Sequence, residues 1–181
     1  MAQRYTEINE KLNEFIRRQK IFFVGTACRD GRVNISPKGM DTLRIIGKNK
    51  VVWLNLTGSG NETAAHIAEN NRMTIMFCSF EKDPMVLRLY GRAKVFHPRD
   101  SEWGELNSLF QPIAGARQII ELDVDLVQTS CGFAVPCFDF KGERDKLRKW
   151  AENKGEEGIR KYWEESNRVS VDGKPTKIFD T

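Results

Sequence analysis

The sequence is short of the residues that build metal centres and covalent frameworks. It holds two histidines, His66 and His97, and four cysteines, Cys28, Cys78, Cys131 and Cys137. No pair of cysteines forms a C-x-x-C unit, and no metal-ligand spacing links a histidine to a cysteine, so no metal site is expected. A disulfide framework is not expected either, and the thiols are read as free and mostly buried. Long apolar runs are missing as well. Met1 to Glu7 lead into a charged helical pattern, and nothing downstream has the length of a membrane span. The expectation is a cytoplasmic chain with no membrane partner, in which the N-x-S/T triplets at Asn34, Asn55 and Asn61 meet no glycosylation machinery. Internal repeats, low-complexity segments and blocks of like charge are also absent. The 29 Lys and Arg are scattered among 25 acidic residues and leave a net charge of +4. This mild excess suits an anionic ligand, whereas the lack of a basic stripe with clustered aromatics argues against a nucleic-acid partner.

What is present fits a single domain over residues 1–181, with 40% hydrophobic and 30% charged residues. Thr6 can cap a helix over about 6–20 whose apolar positions Ile8, Leu12, Phe15 and Ile16 recur at helical spacing. Ile21 to Cys28 is an apolar, β-rich run. The Asp30-Gly31 pair then predicts a hairpin turn, with Val33 to Ser36 returning as the partner strand. Thr42 to Ile46 and Lys50 to Leu56 form a second pair around Gly47-Lys48-Asn49. A small-residue loop, Gly58 to Thr63, opens a short helix ending near Asn70-Asn71. Met73 to Phe80 and Met85 to Phe96 read as longer strands, followed by a helix from about Arg99 to Leu109. Ile120, Leu122, Val124 and Leu126 alternate with acidic residues as a half-buried strand, and Gly132 to Phe138 reads as the last strand. A helical extension over about 142–165 carries Leu147, Trp150, Ile159, Tyr162 and Trp163, and a loosely held polar tail follows from about Ser166. Many short strands with few, mostly late helices make the chain mainly β, an antiparallel barrel with peripheral helices, not a set of βαβ units.

Three features can carry ligand chemistry. Thr57, Gly58, Ser59, Gly60, Asn61 and Thr63 lie at a helix start, where unpaired backbone N–H groups and the helix dipole suit a phosphate; an ordinary capped loop has the same composition. Asn34 to Gly39, with Asn34, Ser36 and Lys38 as candidate ligands, is a strand that ends in a cation next to a glycine, Gly39, which lets another group approach closely. Lys38 there can neutralise a phosphate or polarise a ring carbonyl, or simply face solvent. Arg88 and Arg92 share one strand face by the period of two, which fits phosphate binding or the commoner cross-strand ion pairs. His66 is read as a surface residue in preference to a haem ligand, and Cys131 with Cys137 is a conceivable redox pair.

Taken in order, these segments resemble the pyridoxamine 5'-phosphate oxidase family of FMN-binding split barrels over roughly residues 21–140. Asn34 to Gly39 resembles its flavin-contacting strand, which ends in Lys-Gly. Trp53 to Thr63 resembles its phosphate-binding strand, loop and helix start, with Glu69-Asn70-Asn71-Arg72 at the helix end. Met85 to Arg92 is similar to a strand ending in glycine and arginine, and Ser130 to Pro136 to a Gly-Tyr-Arg-Val-x-Pro segment. The resemblance implies an antiparallel split β-barrel, FMN as cofactor, and a homodimer in which Cys131 to Pro136 and neighbouring aromatics complete the pocket of the other chain; Phe133, Trp150 or Trp163 would cover the ring, although core packing is the commoner use of each. It implies an oxidoreductase working by flavin hydride transfer on a small molecule, with no catalytic side chain assigned. The alternative is a non-catalytic flavin- or haem-binding or sensing protein on the same fold. Departures from the family pattern argue against pyridoxamine phosphate as the substrate. Asn61-Glu62-Thr63 replaces a Ser-Arg-Lys stretch that binds phosphate, Ala134 replaces an arginine, and Phe110 to Arg117 replaces an Arg-Pro-x-x-Ser stretch. Phosphate binding is therefore expected to lean on backbone N–H groups, Asn61 and Thr63, with Lys38 or Arg88 supplying charge.

Overall fold

In the computed structural model, which describes residues 2–179, the elements run β1 (Gln3–Tyr5), α1 (Glu10–Arg18), β2 (Phe22–Thr26), β3 (Asn34–Lys38), β4 (Leu43–Gly47), β5 (Lys50–Leu56), α2 (Glu62–Glu69), β6 (Arg72–Cys78), β7 (Val86–Phe96), α3 (Trp103–Asn107), β8 (Ala116–Ser130) and α4 (Lys146–Ser166). All strands pair antiparallel in one sheet of order β3-β2-β6-β7-β8-β5-β4, and β1 adds to β8. In that order β2 and β5 are four steps apart, about 19 Å if the sheet were flat. Instead the Phe22 and Trp53 rings sit edge to face with centroids 6.1 Å apart, so the sheet is rolled on itself into a barrel. Its ends, β3 and β4, do not pair with each other. This is the split β-barrel that the sequence implies.

The barrel interior holds alternate residues of the strands, among them Val24, Trp53, Ile75, Leu87, Leu89, Ile120 and Leu122. Leu12, Phe15 and Ile16 of α1 join this core from one helical face. Burying such side chains contributes about 1.5 to 3 kcal/mol each. β5 is apolar on both faces because its other face, Val52 and Leu54, packs with Ile119 against Leu106 and Phe110 of the α3 region. Gly91 is required where β7 crosses β8 at a bulge, since a Cβ there would lie 1.9 Å from the Asp123 carbonyl oxygen.

Several expectations need correction. The first helix is capped by Asn9, whose side chain accepts from Leu12 N at 3.0 Å, because Gln3–Tyr5 is taken up in pairing with β8 and Thr6 to Ile8 make the turn. The helix expected over Arg99 to Leu109 shrinks to α3. Its first residues form turns, with Asp100 accepting from His97 N at 2.7 Å. Gly132 to Phe138 is not a strand. Gly132 takes φ +66 and turns the chain out of β8, and the residues after it are mostly exposed. The tail after Ser166 is firmly held. Ser170 and Thr176 form backbone bonds to Lys174 and Arg168, and Arg99 holds the Lys177 and Ile178 carbonyls at 2.8 and 2.7 Å. α4 is broken at Gly155, and the Trp150 and Tyr162 rings meet across the break at 5.1 Å. No helix among the described residues is long and apolar enough to cross a membrane.

Candidate anion and cofactor site

The hairpin β2–β3 and the loop from β5 into α2 meet at the split of the barrel and enclose a cavity of about 610 Å³. Strand alternation turns Asn34, Ser36 and Lys38 into it while Ile35 and Pro37 point away, exposed. Gly58, Ser59, Gly60, Asn61 and Thr63 close the opposite side at the start of α2. The two walls are tied together. Asn34 Nδ2 donates to Thr63 Oγ1 at 3.2 Å and to Thr26 Oγ1 at 3.3 Å, and Thr26 Oγ1 bonds His66 Nδ1 at 3.0 Å.

Thr57 belongs to the frame of the site. Its hydroxyl donates to the Gly115 carbonyl at 2.7 Å and accepts from Trp163 Nε1 at 2.8 Å, which fastens α4 to the loop. Gly39 lies just outside, near the Lys20 carbonyl. Arg88 donates to Ser130 Oγ at 3.2 Å, and neither it, Cys131 nor Phe133 lines this cavity in its own chain. Trp163 braces the frame from behind and Trp150 meets Tyr162 edge to face. His66 is 2% exposed, contrary to the surface reading, because it lies on the inner face of α2 beside Ala65 and Ile67. Cys28 and Cys78 are buried, but Cys131 and Cys137 are exposed, so the thiols are not mostly buried.

The residue that sequence reasoning missed is Arg117. β8 carries a bulge where Ala116 and Arg117 together face Leu56. Regular alternation from Ile119 would aim position 117 at the α3 cluster, whereas the bulge lets its guanidinium line the cavity with Asn55. Arg117 is 3% exposed. Nη1 donates to the Gly60 carbonyl at 3.1 Å and to Asn167 Oδ1 at 2.7 Å, both neutral acceptors. No carboxylate among the described residues forms an ion pair with Arg117 or Lys38. Burial pulls the Arg117 guanidinium down from the ordinary arginine value to about 10. Burial, and then the Arg117 charge, lowers Lys38 from 10.5 to about 8. The Lys38 ammonium rests 5.0 Å from the centre of the Trp53 ring.

Polar atoms left without partners converge on the same space. Asn61 Nδ2 and Oδ1, Ser36 Oγ and Arg117 Nε are buried and have no hydrogen-bond partner among the described residues. Asn61 precedes α2 but forms no side-chain cap bond, so the first N–H groups of that helix also lack a side-chain acceptor there. Orphaned buried donors beside two uncompensated cations fit a ligand that brings negative charge and acceptor oxygens.

A rolled, split antiparallel sheet with a cation-lined cavity at its seam places the chain in the split-barrel class. The sequence profile of the pyridoxamine 5'-phosphate oxidase family matches residues 8–131, and the chain belongs to that family. The chain is 36% identical over 191 residues to the pyridoxamine 5'-phosphate oxidase family protein ustO of Aspergillus flavus, covering 94% of this chain and 76% of that one. Among solved structures, HupZ of Group A Streptococcus has a TM-score of 0.52 at 18% identity, covering 66% of this chain and 91% of its own. A protein from Clostridium acetobutylicum related to general stress protein 26, of the pyridoxinephosphate oxidase family, has a TM-score of 0.52 at 17% identity, covering 76% and 94%. At such identities the structures support the fold alone.

Proposed function

We propose that the chain binds flavin mononucleotide in this cavity and acts as an FMN-dependent oxidoreductase on a small molecule. The observation that carries the reading is Arg117, a buried cation with no counter-charge, opposite a helix start with an orphaned Asn61 amide. A buried unpaired charge is costly, so the cavity is complementary to a ligand that supplies the missing anion. A phosphate monoester on the Gly58–Thr63 loop would take hydrogen bonds from Arg117, Asn61 and the first N–H groups of α2. Ser36 and Lys38 lie further along β3, where a hydroxyl and an ammonium suit the polar edge of a flat ring.

Flavin, when bound, supplies the hydride acceptor and donor. The residues of the chain hold its phosphate, orient its ring and keep a positive charge at Lys38 Nζ, which favours negative charge on a neighbouring ring carbonyl. The reading includes a homodimer. Val33, Ile35 and Phe133 are 71%, 69% and 81% exposed, and an apolar groove of about 530 Å³ runs over the outer face of β2, β6 and β7 beside Val33 and Ile35. Exposed apolar surface of this kind suits a second copy, whose Cys131 and Phe133 would then reach the flavin. A cytoplasmic location belongs to the same reading, since four free thiols suit a reducing compartment.

Absorbance of the purified protein, followed by titration with FMN and riboflavin, tests the cofactor. Preference for FMN that Thr63→Ala weakens supports the reading, whereas equal affinity for riboflavin removes the loop from phosphate binding. Flavin bands bleached by NADPH, with turnover in air, support the enzyme. Bound flavin inert to reductants leaves a non-catalytic flavin protein, and a Soret band without flavin would replace FMN with haem.

A further inference from the structure

The segment after α4 has no part in the reading above, yet it forms one wall of the cavity. Residues 167–178 turn back as a short hairpin in which Val169 bridges Pro175. The fully buried Asn167 side chain accepts from Arg117 at 2.7 Å and donates to the Gly58 carbonyl at 3.1 Å, while Thr176 Oγ1 donates to the Asn167 backbone carbonyl at 2.6 Å. Val171 N donates to both carboxylate oxygens of Glu62 at 3.1 Å. Asp172 pairs with Arg32 and Lys174 with Glu69, so the hairpin is fastened to the β2–β3 turn and to the end of α2.

We propose that this strap is a specificity element: through Asn167 it seats Arg117 for a terminal phosphate, and with Val169, Ser170 and Val171 it closes the phosphate end of the cavity. A ligand ending in a phosphate monoester is accepted, and one that continues through a diphosphate into a second nucleotide is refused. The proposal rests on the flavin mononucleotide reading. An amide at 167 orients the guanidinium without cancelling its charge, which a carboxylate in that place would do. Val169, Ser170, Val171 and Glu62 line the same cavity as Arg117. Apolar bulk and a negative charge there oppose a second phosphate.

The test is fluorescence titration of the full chain with FMN, riboflavin and FAD. It compares wild type, the isosteric variant Asn167→Asp, and the double variant Asp172→Asn/Lys174→Gln, which removes the strap's two ion pairs without touching the cavity lining. Wild type is expected to prefer FMN over FAD. Asn167→Asp should weaken FMN by about 10- to 100-fold and riboflavin by less than about threefold. The double variant, its strap shown to be loose by faster trypsin cleavage after Arg168, should lose most of the preference for FMN over FAD. Equal losses for FMN and riboflavin in Asn167→Asp would overturn the proposal, as would an unchanged FMN-to-FAD ratio in the loosened variant. Wild type binding FMN and FAD equally refutes the strap and leaves the flavin reading standing. Wild type binding none of the three refutes the flavin reading, and inorganic phosphate then decides the strap. Phosphate that slows cleavage after Arg168 in wild type but not in Asn167→Asp supports it, and no protection overturns it.

Discussion

Replacing Arg117 with methionine removes the guanidinium but keeps much of the side chain's volume, and two opposing changes follow in the unliganded protein. The fall in the Arg117 pKa from the ordinary arginine value to about 10 corresponds to a cost of about 3 kcal/mol for keeping the charge buried. Methionine relieves that cost. It also strips the Gly60 carbonyl and Asn167 Oδ1 of a donor; Gly60 lines the cavity, where water can take the donor's place, so the cost is that of the fully buried Asn167 oxygen, about 1 to 3 kcal/mol. The changes nearly cancel, so the unliganded variant should melt within about 4 °C of wild type. Ligand binding has no such cancellation. Loss of charged hydrogen bonds worth about 1.5 to 3 kcal/mol should weaken FMN by roughly 10- to 150-fold, while riboflavin, which has no phosphate, changes little. Thermal melts without ligand and fluorescence titrations with both flavins measure the two effects separately. A variant that loses more than about 3 kcal/mol of stability yet holds FMN as wild type does would refute the reasoning, since Arg117 would then be a structural cation.

Lys38 adds a pH dependence. Its pKa is lowered to about 8, so a bound anion that pairs with the ammonium has full affinity below about pH 8 and loses it as pH rises through that value; Lys38→Gln should flatten the profile. Stability without ligand moves the other way. Between about pH 8 and 10.5 the unfolded chain keeps a proton that the folded chain has released, so denaturant midpoints should rise with pH across that window and not in Lys38→Gln. Gly91→Ala drives a Cβ into the Asp123 carbonyl and should cost about 3 kcal/mol or more, read as a lowered denaturant midpoint at unchanged slope. Iodoacetamide should modify Cys131 first, since the Phe133 backbone N–H lowers its pKa, and Cys28 and Cys78 last, since burial raises theirs. Peptide mass spectrometry gives the order.

Features written in local chemistry were legible in the sequence. The Asp30-Gly31 pair marks the β2–β3 turn, the apolar run Lys50 to Leu56 marks β5, and the alternation of Ile120, Leu122 and Val124 with acidic residues marks the core face of β8. What stayed hidden depends on contacts between distant segments. β1 is three polar or amphipathic residues whose strand character comes only from pairing with Val127 to Thr129. His66 shares α2 with Ala65 and Ile67, but the burial of its ring beside Thr26 comes from tertiary packing. The strap looked like a tail because its fastenings reach far along the chain: Asn167 meets Arg117 across 50 residues, and Asp172 meets Arg32 across 140. Arg117 left one trace: a lone cation at the mouth of an apolar strand, in a chain whose Asn61-Glu62-Thr63 stretch lacks the cations with which the family binds phosphate.

The bulge that frees Arg117 also locks two parts of the protein in phase. From Gln118 onward, β8 delivers Ile120, Leu122 and Val124 to the barrel core, and one residue earlier the strand is out of step by the single extra position that holds the guanidinium. Deleting that position would not merely remove a cation. It would force either the loop at Gly115 or the whole strand to slip, and a slip of one residue exchanges core and solvent faces along its length. Binding site and hydrophobic core are therefore written in one reading frame: the cavity can acquire or lose side chains by substitution, but its position relative to the core is fixed by the count of residues in β8.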